Sequence, residues 1–438
     1  MSRISKRWAV PIALGVAAAL TAAGCGAGSR TGAETATQVA CDFTKPAQPV
    51  DVDVLAYNSS AIDPFTNTMV KSCSKDGVTI KHEPIDFAGQ VQKTTATLAG
   101  QTGTYDLLET YGFVVPQYAA KGKLRPLDEY FAKYSGEYGL GELNAEMRQA
   151  MTYDGKLYAV PMQAQMFVFV YRKDVFEKLG LKPPTTFEEM RQTAKKIQDS
   201  GEVKHPLALP LLASADIVTA YDAALGSLGQ NLTDPENRTA NVDSPKSLKA
   251  LEELMSLKPF MDPEVTTFDQ PAVQQQLYNG SAAMAMMFSG RMNDLVQPSN
   301  SRFHDKFAFA PPPVVDGGNV RYNALSVDGW SIPQNTTVDP ELLFELIAAS
   351  VSKDASKAAI PAAYPARQGM VTDTSSPYAA AATESIKSAP PAEPFPWTAE
   401  ISNQITPVVA SVFIGKVTPA EGTKQMREIA DRILNQYR

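Results

Sequence analysis

The sequence predicts an α/β protein whose chain divides into two lobes. Strand and helix patterns alternate at the start of the folded part, which is typical of sheets covered by helices. The chain has 438 residues, and a single hydrophobic core seldom organises so many, so a second lobe is expected. Hydrophobic residues make up 44% and charged residues 20% of the chain, as in an ordinary globular protein.

The alternation begins with residues 50–57, VDVDVLAY, where apolar and acidic residues alternate before an apolar end and predict a strand. Residues 64–73 predict a short helix, and residues 78–85 predict a second strand with a proline near its end. Residues 87–98 predict another helix, and residues 105–109 predict a short strand with a polar end. This βαβα order predicts a mostly parallel sheet with helices on both faces.

Helices later in the chain begin at recognisable capping residues. A capping box occupies residues 185–189, and Ser244, Asp339 and Thr418 each precede a proline that opens a helical pattern. Apolar residues recur at helical spacing after these starts. The stripes predict core packing rather than a cofactor site.

The first 24 residues have the pattern of a secretory signal peptide. Arg3, Lys6 and Arg7 precede an apolar stretch over residues 8–23, which is short for a membrane span. Small residues then lead to Cys25. This end resembles a bacterial lipobox, in which the signal peptide is cut before a cysteine that carries lipid. The resemblance predicts a signal peptide over residues 1–24 and lipidation of Cys25.

Residues 25–40 are rich in Gly, Ser, Thr and Ala and predict a tether between the lipid on Cys25 and the folded protein. The protein would then be held on the outer face of the cell membrane by its lipid anchor. The alternative is a plain secreted protein in which the cysteine is incidental. Only Cys41 and Cys73 follow Cys25. Two cysteines outside the cytoplasm are expected to pair in a disulfide, and the alternative is two free thiols.

The charge and the histidines argue against several classes of function. The formal net charge is −7, and an acidic chain without a basic run argues against nucleic acid as a partner. His82, His205 and His304 lack metal-ligand spacing, so no metal site is predicted. Neither a nucleophile elbow nor a phosphate-binding glycine loop occurs, so we predict no cofactor and no catalytic residue. A glycosidase stays open, because its two carboxylates need no fixed spacing in sequence.

One stretch carries a specific resemblance. Residues 153–161, YDGKLYAVP, are followed by residues 171–181, YRKDVFEKLGL, and residues 183–190, PPTTFEEM. These segments resemble the signature of the family 1 extracellular solute-binding proteins, the maltose-binding-protein-like group. Further blocks agree with that family in order and spacing, namely residues 122–128, 279–284, 327–333 and 365–367. The resemblance covers essentially all of the chain after Cys41, although Asp328 stands where the family pattern has a glycine.

The resemblance implies a periplasmic-binding-protein type II fold, in which two α/β lobes close over an interlobe cleft by hinge motion. Lobe 1 would comprise residues 41–159 and 307–358, and lobe 2 would comprise residues 160–306 and 359–438. The implied function is that of an extracytoplasmic substrate-binding protein of an ABC importer. Such a protein is a monomer that binds a sugar or polyol and delivers it to the permease subunits in the membrane, without catalysis.

Two alternative functions stay open. The same scaffold would serve an anionic solute, such as a glycerophosphodiester, if arginines act as anion clamps. A secreted glycan-processing enzyme is the alternative from a different class of protein.

A sugar site needs planar polar groups for the hydroxyls and aromatic faces for the ring. We expect such residues at strand ends and in the blocks that resemble the family. The expected ligand contacts are Asn58, Ser59, Glu109, Tyr111, Gln163, Gln165, Tyr221, Ser289, Arg291, Asp328, Trp330, Arg367 and Trp397. Trp330 and Trp397 would stack on the sugar, and Arg291 and Arg367 would matter most for an anionic ligand.

Several of these residues have a structural alternative. Asn58 and Ser59 would equally serve a capping turn before the first helix. Tyr221 and Trp330 would equally pack in a core, and Arg367 would equally hold the fold together.

Overall fold

The computed structural model describes residues 36–389 and 393–437. The predicted signal peptide and Cys25 lie outside the described residues, as does most of the predicted tether. In the described part of the chain, no helix is long and apolar enough to cross a membrane.

Strands and helices alternate through most of the chain. The strands are β1 (Val50–Leu55), β2 (Val78–His82), β3 (Leu107–Tyr111), β4 (Thr152–Tyr153), β5 (Lys156–Leu157), β6 (Val160–Arg172), β7 (Leu207–Ala208), β8 (Thr233–Asp234), β9 (Thr239–Ala240), β10 (Met284–Phe288), β11 (Phe307–Ala310), β12 (Leu325–Ser331) and β13 (Tyr364–Pro365). The helices of the first half are α1 (Asp63–Cys73), α2 (Phe87–Ala99), α3 (Val115–Ala120), α4 (Asp128–Tyr138), α5 (Ala145–Ala150), α6 (Lys173–Lys178), α7 (Phe187–Asp199) and α8 (Asp216–Ser227). Those of the second half are α9 (Pro245–Leu257), α10 (Gln270–Asn279), α11 (Met292–Leu295), α12 (Pro340–Ser350), α13 (Lys353–Ala359), α14 (Ala379–Lys387), α15 (Thr398–Phe413) and α16 (Pro419–Leu434).

A mixed sheet runs through both lobes in the order β2-β1-β3-β12-β6-β10-β7. β1 pairs in parallel with β2 and β3, as the βαβα pattern predicts. However, β12 runs antiparallel to β3 and β6, and β10 runs antiparallel to β6. The prediction of a mostly parallel sheet is therefore wrong. Parallel neighbours need crossover helices, whereas β6 and β12 enter the sheet as the chain passes between the lobes.

β6 is the strand that joins the two lobes. Residues 160–166 pair with β12, whereas residues 167–172 pair with β10 and β11. The predicted boundaries place β11 at the start of a lobe 1 segment, but its pairing puts it on the lobe 2 half of β6. Likewise, the boundaries predict β13 in lobe 2, but it pairs with Gln163 and Ala164 on the lobe 1 half of β6, so the segment that carries Arg367 packs on lobe 1. The remaining predicted boundaries stay a prediction.

Alternation along β6 sends side chains into two hydrophobic cores. Val168 and Val170 belong to a core that fills lobe 1 and continues onto one face of the lobe 2 strands. Phe167 and Phe169 belong to a second core, which packs against α7, α8, α9, α15 and α16. Because successive side chains of a strand point to opposite faces, this one strand is anchored in both cores.

The helices begin where the capping residues predict. Thr186, Ser244, Asp339 and Thr418 each accept a hydrogen bond from a backbone N–H of the first turn, at 3.2, 3.0, 3.1 and 3.3 Å. Such bonds satisfy donors that the helix itself leaves free. The predicted starts of α7, α9, α12 and α16 are thus confirmed.

A disulfide fixes the N-terminal part of the fold. Cys41, which precedes β1, is bonded to Cys73, the last residue of α1, with their Cα atoms 5.5 Å apart. Next to it, the Val39 N–H donates to the Ser72 hydroxyl at 3.0 Å. The segment that enters lobe 1 is therefore held against α1 by a covalent bond and a buried hydrogen bond.

Candidate functional site

Polar side chains converge where the chain passes from one lobe to the other. They come from the end of β1, from β3, from β12 and from the middle of β6. We call Tyr57, Glu109, Gln163, Gln165 and Asp328 the cleft floor. All five are buried. This position, beside the carboxyl ends of parallel strands, is where open α/β sheets bind ligands.

Asp328 is the centre of the cleft floor. Its Oδ2 atom accepts hydrogen bonds from the carboxamides of Gln163, at 2.8 Å, and Gln165, at 2.7 Å. Its Oδ1 atom accepts a bond from the Ser326 hydroxyl at 2.8 Å. The register of β12 against β6 shifts between Asp328 and Gly329, and such a bulge re-aims the side chain beside it. A side chain at Gly329 would lie 2.6 Å from the Val160 carbonyl oxygen, so the bulge requires a glycine there.

Glu109 and Tyr57 extend this network into lobe 1. The backbone N–H of Tyr57 donates to Oε2 of Glu109 at 2.9 Å, and the Tyr57 hydroxyl accepts a bond from Gln165 at 3.2 Å. Two buried atoms of the floor, Oε1 of Glu109 and Oε1 of Gln163, have no hydrogen-bond partner among the described residues. Buried polar atoms are rarely left without a partner, so these two oxygens are the candidate acceptors for a ligand at this position.

Lobe 2 reaches the floor through the short turn after β10. Gly290 accepts a hydrogen bond from the Ser60 hydroxyl of lobe 1 at 3.0 Å, and Ser289 accepts a weak one from the Met166 N–H at 3.4 Å. A side chain at Gly290 would collide with the Gln165 carboxamide, so only glycine allows this approach. The next residue, Arg291, is 7% exposed, and in the described part of the chain its Nη1 atom has no partner.

The cleft floor holds carboxyl groups for which the negatively charged form is unfavourable. Burial, and then the charge of Asp328, raise the pKa of the Glu109 carboxyl well above its usual range. Burial also raises the pKa of Asp328, although bonds from Gln165, Ser326 and Gln163 oppose that shift. Across the cleft, burial and the charge of Asp269 raise the pKa of Asp216 to about 7, against the opposing effects of Gln270 and Arg291. A donor-bearing ligand would relieve this accumulation of carboxylates.

An aromatic series lies beside the floor on lobe 1. The Tyr57 ring meets Phe87 edge-on at 5.8 Å, Phe87 meets Tyr111 at 5.6 Å, and Tyr111 stacks on Phe113 at 5.4 Å. Phe87 and Phe113 are 43% and 47% exposed. The Tyr111 hydroxyl donates to Gln90 at 3.2 Å. Exposed aromatic faces next to polar groups suit the apolar face of a sugar ring.

A second recess lies between the lobes at Trp397. Its volume is about 450 Å³, and its walls come from the β4–β5 hairpin of lobe 1 and from the C-terminal part of lobe 2. Trp397 stacks on Phe395 at 5.1 Å, and its indole N–H donates to the Thr233 hydroxyl at 3.2 Å. Trp397 is 6% exposed, so it offers an edge of its ring rather than a full face. Close by, Gln117 of α3 donates to Glu400 of α15 at 3.4 Å and joins the lobes again.

Arg367 is not in the cleft, contrary to the expectation from the sequence. Its guanidinium donates to the backbone carbonyls of Tyr138, Gly139 and Val351, at 2.8 to 2.9 Å, and to the Glu142 carboxylate at 3.1 Å. These bonds tie together three segments of lobe 1, and we call them the Arg367 clamp. The arginine has no free donor for a ligand and serves the fold.

Four further expected contacts have structural roles. Tyr221 lies wholly inside the lobe 2 core and shares a 2.7 Å hydrogen bond with Ser247, and Trp330 is fully buried in the lobe 1 core. Asn58 donates to Asp63 at 2.8 Å, and the same carboxylate accepts the Ser59 N–H at 3.2 Å. Asn58 and Ser59 thus form the turn that starts α1. The structure brings together Glu109, Gln163, Gln165, Ser289, Arg291 and Asp328 instead, with Tyr111 beside them.

The sequence reasoning missed several residues of this region. Tyr57 ends the first predicted strand, and that position at a carboxyl end was the available signal. Asp216 and Asp222 both lie on α8, six residues apart, which places their side chains about 120° apart around the helix axis. Asp222 has an exposed side chain, yet the surrounding protein raises its pKa to about 6 by desolvation. No group of His, Cys, Asp and Glu in the described ranges is arranged to hold a metal ion.

Comparisons with known proteins identify the family. A family model for bacterial extracellular solute-binding proteins matches residues 66–357, more than half of the chain. A Sinorhizobium fredii protein named a probable amino-acid ABC transporter periplasmic-binding protein is 22% identical, over 74% of this chain and 70% of its own length.

Solved structures agree in fold. The maltose-bound MalE3 of T. maritima has a TM-score of 0.79 at 18% identity, covering 87% of this chain and 99% of that one. A ribitol-bound ABC transporter solute-binding protein of Agrobacterium radiobacter has a TM-score of 0.78 at 21% identity, covering 89% and 100%. These similarities confirm the two-lobed fold. Since the matched range also contains the blocks at 122–128, 153–190, 279–284 and 327–333, the chain belongs to the family of bacterial extracellular solute-binding proteins.

Proposed function

We propose that the chain is the substrate-binding protein of an ABC importer and that it binds a sugar or polyol on the cleft floor. One observation carries the proposal. Buried acceptors on Glu109 and Gln163 and a buried donor on Arg291 have no partner within the described residues. A polyhydroxylated ligand supplies both donors and acceptors at short spacing, so it would satisfy all three atoms at once.

The names of similar proteins support a sugar or polyol. Two structural neighbours hold maltose and ribitol. One relative bears the name of an amino-acid transporter. The ligands named for the two structural neighbours, maltose and ribitol, carry hydroxyl groups and no carboxylate. We therefore favour a hydroxylated ligand over an amino acid.

The structure weakens the anionic alternative. That alternative needs two arginines as clamps, but Arg367 is committed to the carbonyls of lobe 1. Arg291 remains, and it lies close enough to Asp216 to lower the pKa of that group. A phosphate or carboxylate bound there would meet more negative than positive charge. We also propose that the protein is not an enzyme, because its family is one of binding proteins.

We propose the membrane arrangement from the sequence. Cleavage before Cys25 would leave a lipidated cysteine on the outer face of the cell membrane, with residues 25–40 as the tether. A monomer held in this way would deliver its ligand to the permease subunits. Cys25→Ser should move the protein out of the membrane fraction or block its cleavage. Normal processing and membrane attachment of this variant would refute the anchor.

A thermal-shift screen tests the ligand class. The mature chain is heated with sugars, polyols, amino acids and glycerophosphodiesters, each at high concentration. A ligand at 100 times its Kd should add about 2.7 kcal/mol to the free energy of unfolding. Stabilisation by sugars or polyols is expected. Stabilisation by amino acids or phosphodiesters alone would overturn the proposal, and hydrolysis of a glycoside panel would overturn the assignment as a binder.

A further inference from the structure

The charges around the cleft are unbalanced towards the negative. Glu109 and Asp328 face the cleft from lobe 1, and Asp216, on which Arg291 acts, faces it from α8 of lobe 2. The cation that acts on this group is Arg291, whose charge lowers the pKa of Tyr57 and Asp216. The main charges acting on Glu109 are those of Asp328 and Asp63, and both are negative. The site therefore holds more carboxylates than a neutral ligand needs as acceptors.

The position of Glu109 shows where a positive charge would bind. Its side chain is fully buried, and its Oε2 atom accepts the Tyr57 N–H at 2.9 Å. Its Oε1 atom has no hydrogen bond of normal geometry in the described part of the chain, although the Tyr111 hydroxyl, which donates to Gln90, lies close enough to oppose the rise in the pKa of this carboxyl. Bonds between an ionised donor and a carboxylate are about twice as strong as neutral ones. An ammonium group is thus the donor that would gain most from this oxygen.

Arg291 supplies the complementary half of the site. Its Nη1 atom is buried and, among residues 36–389 and 393–437, without a partner. A guanidinium is a donor with no acceptor capacity, so it would bind a hydroxyl or ring oxygen of the ligand. One face of the ligand would then be an acceptor and another a charged donor. A neutral sugar has oxygens that accept a bond from Arg291, but its hydroxyl donors carry no positive charge.

We propose that the ligand is a sugar carrying a free amino group, whose ammonium binds Oε1 of Glu109 while a ligand oxygen accepts from Arg291. The inference rests on the proposed sugar-binding function and narrows it to one class of sugar. The exposed faces of Phe87 and Phe113 lie next to the floor and would pack on the ring.

Calorimetric titration of the mature chain with matched sugars tests the inference. Glucose, glucosamine and N-acetylglucosamine differ at a single position, and the same comparison is made with the galactose and mannose series. Cellobiose, the glucosamine disaccharide and its N-acetylated form repeat it for a longer ligand. At pH 7 an amine of this kind is largely protonated. In at least one series the amine should bind about tenfold tighter than both the parent sugar and the N-acetyl form.

The variant Glu109→Gln keeps the shape of the side chain and removes its charge. The ratio of amine to parent affinity should fall about tenfold, towards unity, whatever the variant does to the affinity for the neutral parent sugar. Glu129→Gln, an exposed carboxylate on α4 of the same lobe, is the matched control and should leave the ratio unchanged.

The outcomes separate the two proposals. Sugars that bind with no preference for the amine, or a preference that the N-acetyl form retains, would overturn the amino-sugar inference and leave sugar binding intact. Failure of these sugars to bind, together with failure of every sugar and polyol in the thermal-shift screen, would overturn the proposed function itself. Because the wild-type panel alone decides between these outcomes, the inference stays testable even if Glu109→Gln does not fold.

Discussion

Two buried arginines, one in the cleft and one in lobe 1, show how a binding site differs from a structural one. Arg291 is 7% exposed and Arg367 is 3% exposed. Every nitrogen of the Arg367 guanidinium donates to an acceptor, and three of those acceptors are backbone carbonyls. Arg291 has a nitrogen that, within the described residues, reaches no acceptor. Burial alone does not separate the two roles, but hydrogen-bond satisfaction does.

The same contrast holds between the regions around these arginines. The Arg367 clamp joins α4, the turn after it and the end of α12 into one unit of lobe 1. The cleft floor leaves oxygens of Glu109 and Gln163 unsatisfied and gathers carboxylates whose pKa values are raised. Unsatisfied polar atoms cost stability, so a fold retains them where a ligand completes them. Four measurements test this difference between the Arg367 clamp and the cleft floor.

Removal of the Arg367 clamp should have the largest effect. Arg367→Met removes the five hydrogen bonds that this charged guanidinium donates. The Gly139 and Val351 carbonyls keep bonds from the Glu142 N–H and the Ser356 hydroxyl. The Tyr138 carbonyl is therefore the one left without a donor among the described residues, at a cost of about 1–3 kcal/mol. The free energy of unfolding should fall by about 3 kcal/mol or more, measured by urea denaturation. Sugar affinity of the folded fraction should not change, because the residue is outside the cleft.

Arg291→Met is the matched control for that prediction. It should weaken ligand binding at least tenfold and lower the free energy of unfolding by less than Arg367→Met does, because no native hydrogen bond of Nη1 is lost and only its charge near Asp216 is removed. An equal loss of stability in both variants would contradict the distinction between clamp and floor.

Truncation of Trp397 should have the next largest effect, and it acts on binding. Trp397 lines the interlobe recess and stacks on Phe395. Trp397→Ala should weaken sugar binding by about 1–3 kcal/mol, the range for a contact residue lost from a packed site. Titration calorimetry measures this change. An unchanged Kd would show that the ligand does not contact Trp397 and that the recess is not part of the binding site.

The pH dependence of stability should be smaller. The pKa of Asp216 is raised to about 7 by burial and Asp269, and that of Glu393 to about 8 by burial and Asp222. A carboxyl whose folded pKa exceeds its unfolded value stabilises the fold while protonated, and this stability is lost as pH rises through the folded pKa. The Tm of the unliganded chain should therefore fall between pH 6.5 and 8.5, by about 1 °C for each kcal/mol lost in a chain of this length.

This window avoids the opposing effect of His82, whose pKa is lowered by burial and whose contribution changes below pH 6.5. Asp216→Asn should flatten the lower half of the curve, because Gln270 and Arg291 then face a neutral group. A Tm that rises with pH over this window would contradict the raised pKa values.

The parts of the fold set by local sequence were predictable. Capping residues such as Ser244 and Thr418 act within one helical turn, so their helices were located correctly. The antiparallel placement of β6 and β12 was not predictable, because it depends on how the chain crosses between lobes. Glu109 and Asp328 were expected from strand ends and family blocks. Arg367 was misjudged because its acceptors are carbonyls more than 200 residues away in sequence, at Tyr138 and Gly139.

The smallest effect is expected at Trp330, the other tryptophan outside the predicted signal peptide. Its side chain is fully buried between β3 and β6, opposite Glu109 and Val160. Its indole nitrogen has no partner in the part of the chain that the structure describes. Trp330→Phe opens a small cavity that costs about 1 kcal/mol, but it also removes a buried donor whose desolvation costs about 1–3 kcal/mol.

The two terms offset each other, so the free energy of unfolding should stay within about 1 kcal/mol of the parent value. Ligand affinity should stay within about twofold, because Trp330 has no surface in the cleft. In this variant Trp397 is the remaining indole of the mature chain, so any change of fluorescence on ligand binding reports the recess alone. A tenfold loss of affinity would show that the packing of Trp330 positions Glu109. Trp330 would then contribute to ligand binding as well as to the core.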